Sequence, residues 1–197
     1  MKCLILLLST IFPRNSDTTY IKFESQTSWQ QILTEAKRSN KYVFVDCFAT
    51  WCGPCKYMAD SIFTTKAAAD YMNTNFINLK VQMDVTSKDN QEIKNWYKDA
   101  KMIMQKYDIK GFPTFLFLSP DGELVYQAIG GVADAGSFIT KAKKALDPDE
   151  QYFFLLEQYN KGYKNQAFIA RLITAADKSG DQQMVTKLKK ELTTDRN

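Results

Sequence analysis

The chain has 197 residues, of which 45% are hydrophobic and 13% aromatic, and it carries a formal net charge of +4. This length and composition predict one globular domain with an extension, and the small charge, with no Lys/Arg cluster, argues against a nucleic-acid partner. The sequence contains no histidine, which excludes Cys-His and Ser-His catalysis and histidine-ligated metal.

The first residues of the chain are similar to a short secretory signal. One positive charge, on Lys2, precedes an apolar run over residues 3–12 that is too short to anchor stably in a bilayer. We therefore expect residues 1–20 to be a signal segment. The mature chain would then be periplasmic or otherwise extracytoplasmic, with no integral membrane segment. A buried N-terminal strand, and with it a cytoplasmic location, is the alternative.

The middle of the chain alternates between helical and extended patterns. These predict helix 28–40, strand 42–48, helix 55–71, strand 76–85, helix 87–107, strand 115–118, strand 123–129 and helix 133–146. The run 42–48 is apolar on both faces apart from Asp46, which is typical of a central strand in a doubly covered sheet. Ser119-Pro120-Asp121-Gly122 predicts the turn of an antiparallel hairpin. The fold class is therefore α/β, with a mixed sheet flanked by helices.

The last quarter of the chain has a helical pattern of its own. Asp147 and Pro148 mark a boundary, after which helices are predicted over 148–160, 165–179 and 181–192, with glycines at their ends. Their apolar faces are expected to consist of Phe153, Leu156, Tyr159, Phe168, Leu172, Ala176, Val185, Leu188 and Leu192. We divide the chain accordingly into the signal segment, a domain over 21–146 and a small helical extension over 147–197.

Of the four cysteines, only Cys52 and Cys55 have a spacing with chemical meaning. They flank Gly53-Pro54 directly after the predicted strand 42–48. A strand that ends in such a turn and opens a helix places Cys52 at the helix N-terminus, where unpaired N–H groups and the helix dipole favour a thiolate. Cys55 would lie one turn further in, more buried and close enough to form a disulfide. The pair alone also allows half of a zinc site or a fixed structural disulfide.

Four stretches of the sequence together resemble the thioredoxin family. Residues 45–56 follow its active-site stretch, residues 80–84 its lysine-bearing strand, residues 111–114 its cis-proline loop and residues 122–130 its final hairpin. The resemblance covers about residues 25–146 and implies the thioredoxin fold. The extra segments at both ends are similar to those of thioredoxin-like proteins of bacterial cell envelopes.

The resemblance also implies roles for individual residues. Cys52, expected to be exposed, would attack a disulfide in a partner protein, and Cys55 would resolve the mixed disulfide. Asp46 would be the buried acid beneath Cys55, relaying a proton with the help of Lys80. The residues expected to form the cis-proline loop and the substrate platform are Trp51, Gly53, Pro54, Phe112, Pro113, Gly130 and Gly131. Cys47, which strand alternation turns away from Asp46, is expected to be buried packing.

The predicted function is that of a thiol–disulfide oxidoreductase that exchanges a Cys52–Cys55 disulfide with partner-protein disulfides. The reducing direction is favoured because Gly-Pro between the cysteines resembles the reducing members of the family. Partners would be disulfide-containing proteins and an upstream dithiol electron donor. The alternative is a protein-binding module that uses the helices of 147–197, with the dithiol as a redox sensor or structural pair. No cofactor is predicted, because no metal-ligand set or Gly-rich phosphate loop is found.

Overall fold

The computed structural model describes residues 19–25 and 28–194. The predicted signal segment 1–20 therefore lies outside the described residues apart from its last two. Of the helices in the described part of the chain, none has the length and apolar character needed to cross a membrane.

The helices and strands follow one another along the chain in the order that the patterns predict. The helices are α1 (Trp29–Ser39), α2 (Gly53–Tyr57), α3 (Lys66–Asn75), α4 (Gln91–Lys106), α5 (Ala135–Lys144), α6 (Pro148–Asn160), α7 (Gln166–Lys178) and α8 (Gln182–Thr194), with a π-helical turn at Met58–Ile62. The strands are β1 (Tyr42–Phe48), β2 (Phe76–Gln82), β3 (Thr114–Leu118) and β4 (Leu124–Ile129). The predicted helix and strand ends differ from these bounds by a few residues at most, except over 55–71.

The four strands form one sheet in the order β2-β1-β3-β4. β1 pairs with β2 in parallel and with β3 antiparallel, and β4 pairs antiparallel with β3. This confirms the predicted mixed sheet. β1 is central because its inner residues are buried whichever face they point to.

A hydrophobic core lies on each face of the sheet. Val43, Val45 and Cys47 of β1 pack with residues of α1 and α4, whereas Phe44 packs with residues of α3 and α5. Cys47 is fully buried and is not in a disulfide, and burial raises the pKa of its thiol. The expectation that Cys47 is a packing residue, turned away from Asp46, is confirmed.

The prediction of a single helix over 55–71 is wrong, because this region forms two helices, α2 and α3, separated by the π-helical turn. The N–H of Phe63 donates to the carbonyl of Met58, five residues back, at 2.9 Å, which is the hydrogen bond of a π-helical turn. Thr65 then takes an extended backbone conformation and its hydroxyl accepts from the N–H of Ala68, capping α3. The threonine offers the backbone an alternative to the next helical bond, so a new helix begins there.

The three C-terminal helices enclose a core of their own. Its buried members are Tyr152, Leu155, Tyr159, Phe168, Ile169, Leu172, Ala176, Val185 and Leu188. The predicted inner face of α6 is partly wrong, since Phe153 is 62% exposed. Five apolar residues follow one another at 152–156, so periodicity could not select which of them face inward.

The C-terminal helices pack against β4, at the edge of the sheet. The rings of Tyr126 in β4 and Phe154 in α6 lie 6.3 Å apart between centroids. Arg171 of α7 donates from Nη2 to the carbonyl oxygen of Leu124 at 2.6 Å and pairs with Glu123 at 2.8 Å. The edge of the sheet is thereby covered at the start of β4.

Candidate active site

Cys52 and Cys55 form a disulfide, with their Cα atoms 5.3 Å apart. Cys52 is the N-cap of α2, and its Sγ accepts a hydrogen bond from the N–H of Cys55 at 3.1 Å. Pro54 stands in the first turn of α2, where its missing N–H costs no helical hydrogen bond. The pair therefore occupies the junction of β1 and α2 that the sequence predicts, with Cys52 at the positive end of the helix dipole.

Both cysteines are buried in this oxidised state, each 3% exposed. The expectation that Cys52 is exposed is therefore wrong for the disulfide form. Its side chain packs in a small cluster with Ala49 and Cys55, against which Phe112 is placed. The exposed group is instead Trp51, at 70%, whose ring makes an edge contact with Phe112 at 5.9 Å between centroids. Two aromatic rings thus border the disulfide.

The loop before β3 contains a cis peptide bond between Phe112 and Pro113, as the family resemblance implies. It is tied to the end of the final hairpin, because the N–H of Gly130 donates to the carbonyl of Pro113 at 2.8 Å. Gly130 has φ +89°, a conformation that favours glycine. Within the loop, the hydroxyl of Thr114 donates to the carbonyl of Gly111 at 2.7 Å.

The segment after β4 passes close to α2. A Cβ added to Gly131 would lie 3.6 Å from Pro54 Cβ, so the backbone there runs at van der Waals distance from the helix. Tyr57, which sequence reasoning missed, reinforces this contact: its hydroxyl donates to the carbonyl of Ala133 at 2.8 Å. Predicted residue Gly53 is exposed on the first turn, with nothing within 4 Å of an added Cβ. The other predicted platform residues are joined by the contacts described above, and among them Phe112 packs directly on the two cysteines.

Asp46 lies fully buried in the centre of the sheet, and neither of its carboxylate oxygens accepts a hydrogen bond from the described residues. Burial raises the pKa of this carboxyl to about 7, an effect that the positive charge of Lys80 partly offsets. Lys80 is the residue paired with Asp46 across β1 and β2. Its Nζ lies 4.7 Å from the centre of the Phe48 ring, which keeps the ammonium on the side of the sheet that carries Asp46.

The loop between β1 and α2, residues 49–52, is the active-site loop, and its hydrogen-bonded anchor was not predicted. Asp84, just after β2, accepts from the backbone N–H of Thr50 at 3.0 Å and from the hydroxyl of the same threonine. Gln82 donates to the carbonyl of Asp84 at 3.0 Å. Thr50 immediately precedes Trp51, so this contact fixes the approach to the disulfide. The only signal in the sequence is that the last residue of the stretch 80–84 is a carboxylate.

A second carboxylate extends this anchor to α4. Asp89 accepts from the N–H and hydroxyl of Thr86, from Gln82 and from the hydroxyl of Tyr97. These bonds, led by those from Thr86, hold the pKa of Asp89 well below its usual range, and the bond from Tyr97 raises the pKa of that phenol to about 12. Residues 84–89 are thus held between the active-site loop and α4.

Among residues 19–25 and 28–194, no three Cys, Asp or Glu side chains converge in a way that could hold a metal ion.

Comparison with known proteins gives a matching family and several relatives. A thioredoxin-like domain model matches residues 29–146. The chain is 34% identical over 100 residues to Thioredoxin-2 of Pyricularia oryzae, covering 51% of this chain and 47% of that protein. It is 29% identical over 132 residues to the thiol:disulfide interchange protein DsbD of Pseudomonas fluorescens, covering 64% and 21%. It therefore spans about half and about a fifth of the length of these two relatives.

A solved structure matches most of its own length. It is the solution structure of a candidate disulphide-isomerase from Bacteroides thetaiotaomicron, to which the chain is 33% identical with a TM-score of 0.52. The match covers 66% of this chain and 96% of that one.

Proposed function

The chain belongs to the thioredoxin-like domain family, and on this premise we propose that it is a thiol–disulfide oxidoreductase that reduces disulfides in partner proteins. The observation that carries the proposal is the placement of the Cys52–Cys55 disulfide. It caps α2, packs against Phe112 of the cis-proline loop and lies beside the exposed ring of Trp51. A reversible dithiol in this position can be reached by an extended partner chain that crosses the two aromatic rings.

Reduction of a partner disulfide proceeds in two exchanges, starting from the reduced pair. The Cys52 thiolate, stabilised by the N-terminus of α2, attacks one sulfur of the partner disulfide. A mixed disulfide forms and the other partner sulfur leaves as a thiolate. Cys55 then loses its proton and attacks Cys52 Sγ, which restores the Cys52–Cys55 bond and releases the second partner thiolate. Two electrons pass from the dithiol to the partner.

We assign to Asp46 the proton that Cys55 gives up in the second exchange. A carboxyl with a pKa of about 7 is partly ionised at neutral pH, so it can both accept and return a proton. Lys80 favours the ionised form through its charge. When an upstream dithiol donor reduces the pair again, the proton would return from Asp46 to the Cys55 thiolate. Such a donor is required, since each turnover leaves the pair oxidised.

We also propose an extracytoplasmic location. It is supported by the charge on Lys2 and the apolar run 3–12, which lie outside the described residues. Fractionation of bacterial cells that express the full chain tests this: recovery in the periplasmic or membrane fraction supports export. Recovery in the cytoplasm alone, at the full mass, contradicts it.

The activity itself is tested by insulin reduction with dithiothreitol as electron source. Wild-type protein is expected to accelerate precipitation of the insulin B chain, and Cys52→Ser is expected to abolish the acceleration. Cys47→Ser is the matched control, because its thiol is buried outside the pair. Full activity in the Cys52 variant would overturn the assignment.

The direction is tested by titrating the pair in glutathione and dithiothreitol buffers, with the fluorescence of Trp51 as readout. A pair that glutathione leaves oxidised and dithiothreitol reduces is the expected result for a reductase. A pair that glutathione reduces readily would instead act as an oxidant of partner thiols. No reversible transition in either buffer would favour the alternative, a binding module with a structural disulfide.

A further inference from the structure

A groove of about 900 Å³ lies between β4 and the C-terminal helices. It is lined by the outer part of β4, by the end of α4 with the residues that follow it, and by α6 and α7. Its volume falls within the range of protein binding sites. The groove exists only because α6 and α7 stand beside the edge strand of the sheet.

One end of the groove adjoins the active site. Ile129, the last residue of β4, lines the groove and is 60% exposed. The next residue, Gly130, is bonded to Pro113 of the cis-proline loop. A Cβ added to Gly111 in the same loop would lie 3.6 Å from Ile129 Cγ2. A partner chain placed across the disulfide can therefore continue into the groove.

The floor of the groove offers backbone hydrogen-bonding groups. Because the N–H of Gly130 points to β3, where Pro113 accepts it, antiparallel alternation directs the backbone groups of Gln127 and Ile129 to the outer edge. Within the part of the chain that the structure describes, β4 pairs with no strand other than β3. Arg171 covers the carbonyl of Leu124, so the open stretch of edge is the one nearest the disulfide.

The walls of the groove are aromatic and carry little free charge. Phe153 of α6 and Tyr163, between α6 and α7, line the groove, and both rings are exposed by about half or more. Most of the charged side chains in the lining are paired with each other: Lys110 with Asp108, Lys161 with Glu157 and Arg171 with Glu123. An apolar segment without charge fits such a surface, because a charged one would lose hydration without finding a partner.

We propose that the groove binds an extended, uncharged segment of the substrate protein, next to the disulfide that Cys52 attacks. The segment adds a strand to the open edge of β4 and places its apolar side chains against Phe153 and Tyr163. Backbone hydrogen bonds supply affinity, and the walls supply specificity, as in other cases of strand addition. The inference rests on the proposed reductase function and adds its substrate class: disulfides flanked by uncharged, strand-forming sequence.

The test compares two peptides, each joined through a single cysteine to nitropyridyl thiol, whose release is followed by absorbance. One carries Val-Tyr-Val-Thr flanks on both sides of the cysteine, and the other carries Glu-Ser-Lys-Ser flanks. With the full chain and an excess of reductant, we expect kcat/KM to be about tenfold higher for the uncharged peptide. Phe153→Glu is expected to remove this preference without changing the rate on nitropyridyl disulfide alone.

Val85→Glu is the matched control, since this apolar side chain is similarly exposed but lies outside the groove lining. Tyr163→Glu repeats the test from a second position in the wall. Equal use of both peptides by the wild type, or an unchanged preference in both groove variants, would overturn the inference while leaving the reductase activity in place.

Two further outcomes would contradict either the proposed function or the proposed occupant of the groove. Failure to reduce either peptide and the small disulfide would overturn the proposed function itself. Sedimentation as a dimer that Phe153→Glu dissociates, with peptide preference unchanged, would assign the groove to a second copy of the chain and contradict the inference.

Discussion

Replacing Asp46 by asparagine is expected to stabilise the oxidised protein, and to do so more strongly as the pH rises. Asp46 is fully buried and accepts no hydrogen bond from the described residues. Ionisation of this carboxyl therefore costs free energy in the folded state that it does not cost in the unfolded chain. Asparagine has nearly the same shape and cannot ionise, so the variant avoids this cost.

The expected magnitude follows from the pKa of the carboxyl, which rises from 3.8 to about 7 on folding. The folded state then binds more protons than the unfolded state between these two values, so wild-type stability falls as the pH rises through that window. The full difference corresponds to roughly 4 kcal/mol. Between pH 5 and pH 8 the wild type should lose roughly 2 to 3 kcal/mol relative to the variant, with little further change above pH 8.

Urea unfolding at a series of pH values measures this directly, without reductant and with tryptophan fluorescence as the readout. The difference in unfolding free energy between Asp46→Asn and wild type is plotted against pH. Asp60→Asn, which removes an exposed carboxylate from the π-helical turn, serves as the control. A difference for Asp46→Asn that is flat from pH 5 to pH 8, or that shrinks as the pH rises, would refute the reasoning.

Three other substitutions have defined outcomes. Cys55→Ser is expected to accumulate mixed disulfides with partner proteins, visible as mass shifts on non-reducing gels that dithiothreitol reverses; their absence would contradict the order of attack. Asp84→Ala removes both hydrogen bonds from Thr50 and should lower the unfolding free energy by about 1.5 to 3 kcal/mol and the fluorescence anisotropy of the tryptophans. If neither the unfolding free energy nor the anisotropy changes, Asp84 does not anchor the active-site loop. Tyr152→Phe removes the 2.6 Å hydrogen bond to Asp181 and should lower the unfolding free energy, measured in urea, by about 1 to 3 kcal/mol. If helices α6–α8 unfold in a separate transition, the loss should be confined to that transition.

Much of the fold and the pairing of the cysteines could be predicted because local patterns carry them. The run 42–48 is apolar on both faces, and only a central strand of a covered sheet buries it fully. The Gly53-Pro54 pair, the turn at 119–122 and the Asp147-Pro148 boundary fix where elements end. The site residues lie far apart in sequence, and the resemblance to a known family is what brought them together before the structure did.

The features that were missed depend on contacts between distant segments. Periodicity could not choose the inner face of α6, since the neighbouring helices decide that Phe153 is exposed and Tyr152 buried. Cys52 is buried in part by Phe112, which lies in the loop before β3 and is far from Cys52 in the sequence. The bond between Thr50 and Asp84 spans 34 positions. No local pattern encodes such pairs.

The edges of the sheet have a consequence for the behaviour of the protein at high concentration. Phe23 bridges to Asn78 and covers the edge of β2 at that residue, and Arg171 covers the start of β4. Unshielded strand edges nucleate aggregation with other extended chains. In the described part of the molecule, the uncovered stretch at Gln127 to Ile129 is therefore one place where unfolded copies of the same chain are expected to attach. A substrate protein bound at this stretch would cover the strand edge, so aggregation should be most pronounced when substrate proteins are scarce.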